Sequence, residues 1–272
     1  MTRPILLKLG GRVLEEIGPG CALAGEIAAL ASGGAALCIV HGGGSQVSSL
    51  GRRLGAEPVI VGGRRVTDEP ALQALIMAVA GGINTRLVAS LCAMGVRAVG
   101  LTGADASMIT AVRRPPRKVT DPVTGKSSMV DFGHVGDIVA VDPLPARALV
   151  AAGMVPVVAC LAADAQGQLL NVNADTIAAA LAGALEAGTL ILASDVEGIM
   201  TAQGERIPAA DAREVGEMIG AGVISGGMAL KAEAGLAALR QGVCRVMIVD
   251  GRRRGSLGGS PGSTQQGTEL RG

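Results

Sequence analysis

Short apolar runs alternate with alanine-rich stretches along most of the chain. The apolar runs are nearly continuous, which is typical of parallel strands covered on both faces. The alanine-rich stretches repeat their apolar residues with helical spacing. Strand–helix alternation of this length indicates right-handed crossover units. We therefore predict an α/β fold, a three-layer αβα sandwich with a largely parallel central sheet.

This pattern predicts six strands and seven helices. The strands are expected over residues 4–9, 36–41, 96–101, 154–159, 189–194 and 244–249. The helices are expected over residues 22–32, 45–55, 69–94, 143–152, 174–187, 211–221 and 228–241. Three stretches depart from the alternation and are rich in turn residues. Residues 57–67 suggest a hairpin with a Gly-Gly turn, 113–130 an exposed loop or hairpin, and 251–268 a loop whose three arginines are solvated.

The composition favours one globular domain over residues 1–272 and excludes several function classes. Hydrophobic residues make up 49% and charged residues 17% of the chain, so a large core can form. The net charge is +1, which argues against a dedicated nucleic-acid or membrane-surface protein. With one Phe and no Trp or Tyr, stacking platforms for bases are nearly excluded. Any purine ring would have to lie between aliphatic side chains.

The cysteines and the start of the chain predict a reduced, cytoplasmic protein. No C-x-x-C pair occurs, so we expect free and mostly buried thiols at Cys21, Cys38, Cys92, Cys160 and Cys244. A lysine interrupts the apolar residues near the N-terminus, and no uncharged run reaches the roughly 18 residues that span a bilayer. We therefore expect no membrane segment.

Glycine-rich turns follow two of the predicted strands. Lys8-Leu9-Gly10-Gly11 follows the first, and His41 followed by Gly42, Gly43 and Gly44 ends the second. Ligands of open α/β sheets bind at the carboxyl ends of the strands, so these turns should meet. A glycine loop before a helix can bind an anion through backbone N–H groups, although a flexible connector remains an alternative. Neither G-x-x-x-x-G-K-[ST] nor G-x-G-x-x-G is present.

Polar residues also precede two of the predicted helices. Asn173 can cap the helix that follows it, but this does not explain Asn171, which points to the same side of an extended segment. With Asp175, these residues can bind a ligand and orient a cation. Gly226 and Gly227 open another helix that carries Lys231 in its first turns. Lys231 could also be an ordinary surface charge.

Seven motifs occur in one order between about residues 5 and 250: K-L-G-G, H-G-G-G, R-V-T, G-H-V-G, N-V-N-A-D, S-D-V-x-G-I and G-G-M-x-x-K. This set resembles the amino-acid kinase family, and within it the acetylglutamate kinases. The resemblance implies phosphorylation of the side-chain carboxylate of N-acetyl-L-glutamate by ATP with Mg²⁺, the second step of arginine biosynthesis. It also implies that about 1–165 bind substrate and form a dimer, that about 166–272 bind the nucleotide, and that His41 and His134 are structural, His41 through a buried hydrogen bond.

The resemblance assigns roles residue by residue. Lys8 and Lys231 match lysines that neutralise the transferring phosphoryl group, and Asp175 matches the aspartate that holds them. The residues matching the substrate site are Gly43, Gly44, Arg65, Asn171 and Asn173. The residues matching the nucleotide site are Gly10, Gly11, Asp195, Val196, Glu197, Gly198, Ile199, Met200, Val223, Ile224, Ser225, Gly226, Gly227 and Met228. No residue is assigned as a metal ligand.

Two alternatives remain open at this point. One is a sibling kinase for another acidic amino acid, such as carrier-bound aminoadipate, which a highly basic pocket around Arg65 would favour. The other is a non-catalytic sensor of a nucleotide or amino acid. We further expect a homodimer with the helix 69–94 at its interface. We expect it not to be inhibited by arginine, because no N-terminal helix precedes the first strand.

Overall fold

A computed structural model describes residues 3–11, 13–16, 21–120, 127–258 and 267–272. Its strands are β1 (Ile5–Leu9), β2 (Leu37–His41), β3 (Ile60–Val61), β4 (Arg64–Arg65), β5 (Ala98–Thr102), β6 (Ile109–Arg113), β7 (Arg117–Thr120), β8 (Ser127–Val130), β9 (Gly136–Val141), β10 (Val155–Ala159), β11 (Leu161–Ala163), β12 (Leu169–Asn171), β13 (Thr189–Ser194), β14 (Ala209–Asp211), β15 (Arg245–Asp250) and β16 (Thr268–Arg271). Its α-helices are α1 (Val13–Glu16), α2 (Ala22–Ser32), α3 (Gly44–Arg53), α4 (Glu69–Leu75), α5 (Asn84–Ala93), α6 (Leu144–Ala151), α7 (Ala174–Ala184), α8 (Ala212–Gly220) and α9 (Gly226–Arg240).

The central sheet confirms the predicted α/β fold. Its strand order is β14-β16-β15-β13-β1-β2-β10-β5, and all six predicted strands lie next to one another in it. These six pair in parallel throughout. Every residue of β2 and β10 is buried, as expected for strands covered by helices on both faces. Among these six parallel strands the middle two, β1 and β2, carry the two glycine turns at their carboxyl ends.

The C-terminal strand corrects one prediction. Residues 251–268 are predicted as a loop, but Thr268 begins β16, which pairs antiparallel with β15 and parallel with β14. The Thr268 hydroxyl accepts a hydrogen bond from Ile199 N (2.8 Å) and donates one to Ile207 O (2.6 Å). Charged residues occupy every second position of β16, so this strand has no continuous apolar run. Such a run is the pattern by which the other strands are predicted. Residues 259–266 of this stretch lie outside the described residues.

A second sheet and two hairpins stand apart from the central sheet. The second sheet has the order β12-β11-β6-β9, and the sequence analysis missed it because its strands are short and mostly antiparallel. The predicted hairpin within 57–67 is confirmed: β3 pairs with β4 across Gly62 and Gly63, which have positive φ angles of 55° and 74°. Within 113–130, β7 pairs with β8, which favours the hairpin over the loop. Residues 121–126 lie outside the described part.

The helix predicted over 69–94 is present over Glu69–Ala93, but its middle is a π-helix at Ile76–Ile83. Val79 and Ile83 of this π segment pack against Gly43, where any side chain would overlap Ile83. By length and composition this is a helix that could cross a membrane (25 residues, mean hydropathy 1.6). Core helices of soluble proteins pass the same test, and this one packs against α2, α3 and β5.

His41 forms the buried hydrogen bond expected of it. Its Nδ1 donates to Gly42 O and its Nε2 accepts from Asn84 Nδ2, both at 2.9 Å. Burial lowers the pKa of His41 to about 4, although the bond to Gly42 opposes this shift, so the ring is neutral at physiological pH. Asn84 also donates to Val157 O (2.9 Å), which joins α5 to two central strands.

The cysteines match the prediction only in part. None of the five forms a disulfide, as expected. Cys38 and Cys160 are buried, but Cys92 and Cys244 are exposed, so the expectation of mostly buried thiols is wrong. Both exposed cysteines lie near the ends of elements, at the last turn of α5 and just before β15, where solvent reaches the side chain.

Candidate active site

A carboxylate between two lysines forms the centre of the site. Asp175 Oδ1 lies 2.8 Å from Lys8 Nζ and 3.2 Å from Lys231 Nζ. All three residues are buried, with 6–7% of their surface exposed. Lys8 comes from β1, Asp175 from the first turn of α7 and Lys231 from α9. The structure therefore brings the three predicted catalytic residues into direct contact.

Burial and charge act together on these groups. Burial alone would raise the pKa of Asp175, but the charges of Lys8 and Lys231 outweigh it, and the pKa lies below its usual range. Burial, with the nearby charge of Lys8, lowers the pKa of Lys231 to about 8, despite the opposing effect of Asp175. One carboxylate thus neutralises only one of two cations, and an anion is needed to complete the charge balance.

The start of α7 places Asp175. The Asn173 side chain caps this helix, since its Oδ1 accepts a hydrogen bond from Thr176 N at 3.0 Å. The cap fixes where the helix begins and puts Asp175 in the first turn, where the helix dipole stabilises a negative charge. Asn173 also lines the cavity described next.

A cavity of about 280 Å³ opens next to this centre. The predicted site residues that line it are Lys8, Gly10, Gly11, Gly43, Gly44, Arg65, Asn171, Asn173 and Asp175. The Lys8 ammonium lies over Gly10, where any side chain would overlap it. Helix α3 begins at Gly44 without a side-chain cap, so side chains among the described residues leave its first N–H groups for a ligand. This arrangement suits an anion at the start of α3.

Two of the lining side chains are partly used by the protein, which fixes their orientation. Arg65 Nη2 donates to Gly44 O (2.9 Å) and Ser48 Oγ (2.6 Å), so its other N–H groups remain for a ligand. Asn171 Nδ2 donates to Thr67 Oγ1 (2.9 Å), so its Oδ1 remains as an acceptor. The pair therefore offers the remaining N–H donors of a guanidinium and an amide acceptor to the same cavity.

The R-V-T motif and the G-H-V-G motif with the preceding Phe132 hold each other in place, which the sequence analysis did not foresee. Thr67 is fully buried and its N–H donates to Phe132 O at 2.9 Å. His134 N donates to Thr67 O at 2.7 Å, and Gly133 between them has a φ of 67° with its backbone directly against Thr67. The His134 ring lies 3.3 Å from a Glu69 carboxylate, a structural contact outside the cavity.

The predicted nucleotide segments follow β13 and lead into α9, and none of their residues lines the cavity described above. The Asp195 carboxylate lies against Gly11, where a β-carbon would be 2.8 Å from Asp195 Oδ1. Buried members of the two segments, which shape the backbone, are Gly198, Ile199 and Ile224. Members that are partly or fully exposed are Asp195, Val196, Glu197, Met200, Val223, Ser225, Gly226, Gly227 and Met228. Ser225, Gly226 and Gly227 lie where α9 begins, again without a side-chain cap.

Arginines that follow β15 contact the first nucleotide segment, residues 195–200. The Arg252 guanidinium donates to both Asp250 oxygens and to Asp195 O, each at 2.9 Å. Arg253 pairs with Glu197. All three arginines of this run are exposed, as predicted, but two of them also form contacts that the sequence analysis did not foresee. An arginine two residues after a strand-end aspartate was the signal that could have indicated the contact.

Other charged residues line the cavity that sequence reasoning did not select. Arg114 is buried and donates from Nε and Nη2 to Asp137 Oδ1 at 3.0 and 2.6 Å, and it lies over the Phe132 ring. Arg64 lines the cavity beside it. Among the residues that the structure describes, no group of three or more His, Cys, Asp or Glu side chains is placed to hold a metal ion.

Comparison with known proteins agrees with this geometry. A model described as the amino acid kinase family matches residues 3–250. Acetylglutamate kinase of Symbiobacterium thermophilum is 41% identical over 94% of this chain and 86% of that protein, and that of Sorangium cellulosum is 42% identical over 94% and 90%. A solved structure of N-acetylglutamate synthase from Neisseria gonorrhoeae, complexed with coenzyme A and N-acetyl-glutamate, is similar with a TM-score of 0.79 and 27% identity over 98% of this chain and 59% of that one. The chain belongs to the amino acid kinase family.

Proposed function

We propose that this protein transfers the terminal phosphoryl group of ATP to the side-chain carboxylate of N-acetyl-L-glutamate, as an acetylglutamate kinase of arginine biosynthesis. The observation that carries the proposal is the buried Asp175 carboxylate shared by Lys8 and Lys231 at the edge of a cavity. Phosphoryl transfer depends on positioning and electrostatic stabilisation, and two lysines beside one carboxylate supply both. Relatives named acetylglutamate kinase match almost the whole chain.

The acceptor is held by side chains that have unused hydrogen-bonding groups. The free N–H groups of Arg65 bind the α-carboxylate, and Asn171 Oδ1 accepts the N–H of the acetamido group. The glycine turn at Gly43 and Gly44, with the uncapped start of α3, supplies backbone donors. The acceptor carboxylate is already ionised at neutral pH, so the attack needs no general base.

The lysines act on the charge of the transferring group. An oxygen of the acceptor carboxylate forms the new bond to phosphorus, while the bond to the bridging oxygen breaks and ADP leaves with that electron pair. Lys8 and Lys231 stabilise the negative charge on the phosphoryl oxygens, and Asp175 keeps both ammonium groups in position.

Bound Mg²⁺ would neutralise part of the phosphate charge of ATP. The described residues fit an ion that is held mainly by phosphate oxygens, because they offer no group of three or more ligands. Asp195, whose carboxylate lies against Gly11, is the residue we assign to this side of the nucleotide. The other nucleotide contacts are assigned to the segments 195–200 and 223–228.

The two parts of the chain have different roles in this proposal. We propose that residues up to about 165 mainly bind the acceptor and that 166–272 mainly bind the nucleotide, in a cytoplasmic enzyme.

A second candidate function has one observation in its favour. Arg64, Arg65 and Arg114 all line the cavity, so the pocket around Arg65 is basic. Such a pocket favours an acceptor with additional negative charge, such as an acidic amino acid bound to an acidic carrier. The alternative of a non-catalytic sensor receives no such support, because Lys8, Asp175 and Lys231 are assembled as a phosphoryl-transfer site requires.

We expect the protein to form a homodimer. The helix Glu69–Ala93 is rich in apolar residues, yet much of its apolar part is not buried, and Met77 on it is 54% exposed. Sedimentation velocity at micromolar concentration should therefore show a species of twice the chain mass. A monomer at that concentration would contradict the proposal.

An assay of ADP release tests the function directly. We expect release with N-acetyl-L-glutamate and much less with glutamate or aspartate, because their ammonium group is repelled by the arginines that line the cavity. Carbamate should also be a poor acceptor, because it has no second carboxylate for Arg65 to bind. A carrier-linked acidic amino acid in the same panel distinguishes the second candidate. Release with none of the acceptors would support the sensor.

Removing either lysine should lower kcat far more than it changes KM, because its charge matters most in the transition state. For Lys8→Ala and Lys231→Ala we expect kcat to fall by about 10²-fold or more. Lys118→Ala, an exposed lysine on β7, is the matched control and should leave turnover unchanged. Near-normal kcat in either active-site variant would contradict the assigned role.

The low pKa of Lys231 predicts a pH dependence. Its amine is protonated below about pH 8 in the free protein and neutral above it. We therefore expect kcat/KM for ATP, which reports the free enzyme, to fall as the pH rises through about 8. In the ternary complex phosphate charge favours the protonated amine, so kcat should fall only at higher pH. A kcat/KM profile that stays flat well above this range would contradict the prediction.

A further inference from the structure

Arg64 takes no part in the phosphoryl transfer proposed above, although it lines the same cavity. It lies on β4 next to Arg65, is half-buried, and lines the cavity beside the Lys8–Asp175–Lys231 centre. Among the described residues no carboxylate or carbonyl accepts a hydrogen bond from its guanidinium, whereas Arg65 and Arg114 are both bonded. A half-buried guanidinium without a partner is costly, and such a group suits a bound anion.

The charges around Arg64 leave it uncompensated. Two acidic groups, Glu233 and Asp137, act on the charge of Arg64, and Asp137 is already engaged by Arg114 at 2.6 Å and by Arg117 at 2.8 Å. Burial, with the positive charge of Arg114, lowers the pKa of Arg64, while Glu233 opposes this shift. The cavity therefore has more cations than its own carboxylates can neutralise on this side.

The direction of Arg64 separates it from the acceptor-binding residues. Side chains of successive strand residues point to opposite faces. Arg65 points to the start of α3, where it contacts Gly44 and Ser48. Arg64 thus points to the opposite side of the hairpin, where its charge interacts with Glu233 of α9. Glu233 is two residues after Lys231 on the same helix.

The hairpin itself touches the nucleotide segment. A β-carbon on Gly63 would lie 3.3 Å from Gly226 Cα and 3.8 Å from Gly227 N, so the two backbones are in contact. Gly63 precedes Arg64, and Gly226 begins the helix that carries Lys231. The turn of the substrate hairpin therefore rests on the start of α9, where the phosphates of a nucleotide would lie.

We propose that Arg64 binds the terminal phosphate of the nucleotide from the substrate hairpin, so that one hairpin contacts both reactants. The inference rests on the proposed function, because it assigns the phosphoryl donor to the α9 side of the cavity. A guanidinium can bind two phosphate oxygens at once, which a lysine cannot. Because Arg65 on the same strand binds the acceptor, acceptor binding positions Arg64, and each ligand favours the other.

Calorimetric titration with nucleotides tests the inference without turnover. Binding of ADP and of the non-hydrolysable ATP analogue AMP-PNP, each with Mg²⁺, is compared for the unaltered protein and for Arg64→Gln. We expect the Kd for AMP-PNP to rise about tenfold or more, the effect of losing a charge-assisted hydrogen bond. The Kd for ADP, which lacks the terminal phosphate, should stay within about twofold.

Arg65→Gln is the matched variant from the neighbouring position. It should raise the KM for N-acetyl-L-glutamate and leave the ratio of the two nucleotide affinities unchanged. Arg53→Gln, an exposed arginine on α3, controls for the loss of a positive charge. Arg64→Lys keeps the charge without the planar fork, so we expect a smaller rise in the Kd for AMP-PNP, and this variant serves if Arg64→Gln does not fold.

Three results would overturn the inference. They are an equal change in affinity for ADP and AMP-PNP, no change in either, and a rise confined to the KM for the acceptor. The last result would assign Arg64 to the acceptor, in line with an acceptor of higher negative charge. Because nucleotide binding is measured without phosphoryl transfer, the outcome is separate from the acceptor assay that tests the proposed function.

Discussion

The buried contact of Asp175 with Lys8 and Lys231 is the constraint on which the site depends. It joins three elements that are far apart in the chain, namely a central strand and two helices. Removing one partner of a buried ion pair typically costs about 3–5 kcal/mol, because the other charge is left without compensation. Here a single carboxylate faces two ammonium groups, so even the intact cluster has an excess positive charge. The excess makes the site complementary to a phosphoryl group.

The fold explains how this cluster forms at one edge of the sheet. β1 is flanked by β2 and β13, and all three run in the same direction, so their carboxyl ends present a lysine, a glycine turn and Asp195 side by side. The Asn173 cap then starts α7 at the position that directs Asp175 toward Lys8. Strand direction and helix capping thus place Lys8 and Asp175, whereas Lys231 depends on the packing of α9 against α7.

Short-range patterns account for only part of what the sequence predicted. The six central strands follow from apolar runs, whereas the roles of Lys8, Asp175 and Lys231 are implied by the resemblance to the amino-acid kinase family. The second sheet, β16 and the bracing of Asp195 by Arg252 depend on contacts between distant segments, which no local pattern encodes. The contact between Thr67 and Gly133 is of this kind as well: both motifs are visible in the sequence, but their pairing is not.

The position of Arg64 follows from a further physical requirement of the reaction. The acceptor carboxylate and the terminal phosphate are both anions, and they must approach within bonding distance although like charges repel. Cations around the point of approach reduce this repulsion only if they are held there before the ligands arrive. Lys8 and Lys231 are held by Asp175, and Arg65 by Gly44 and Ser48. Arg64 has no such support among the described residues, so an anion itself must hold it, and its orientation then depends on the ligand that it binds.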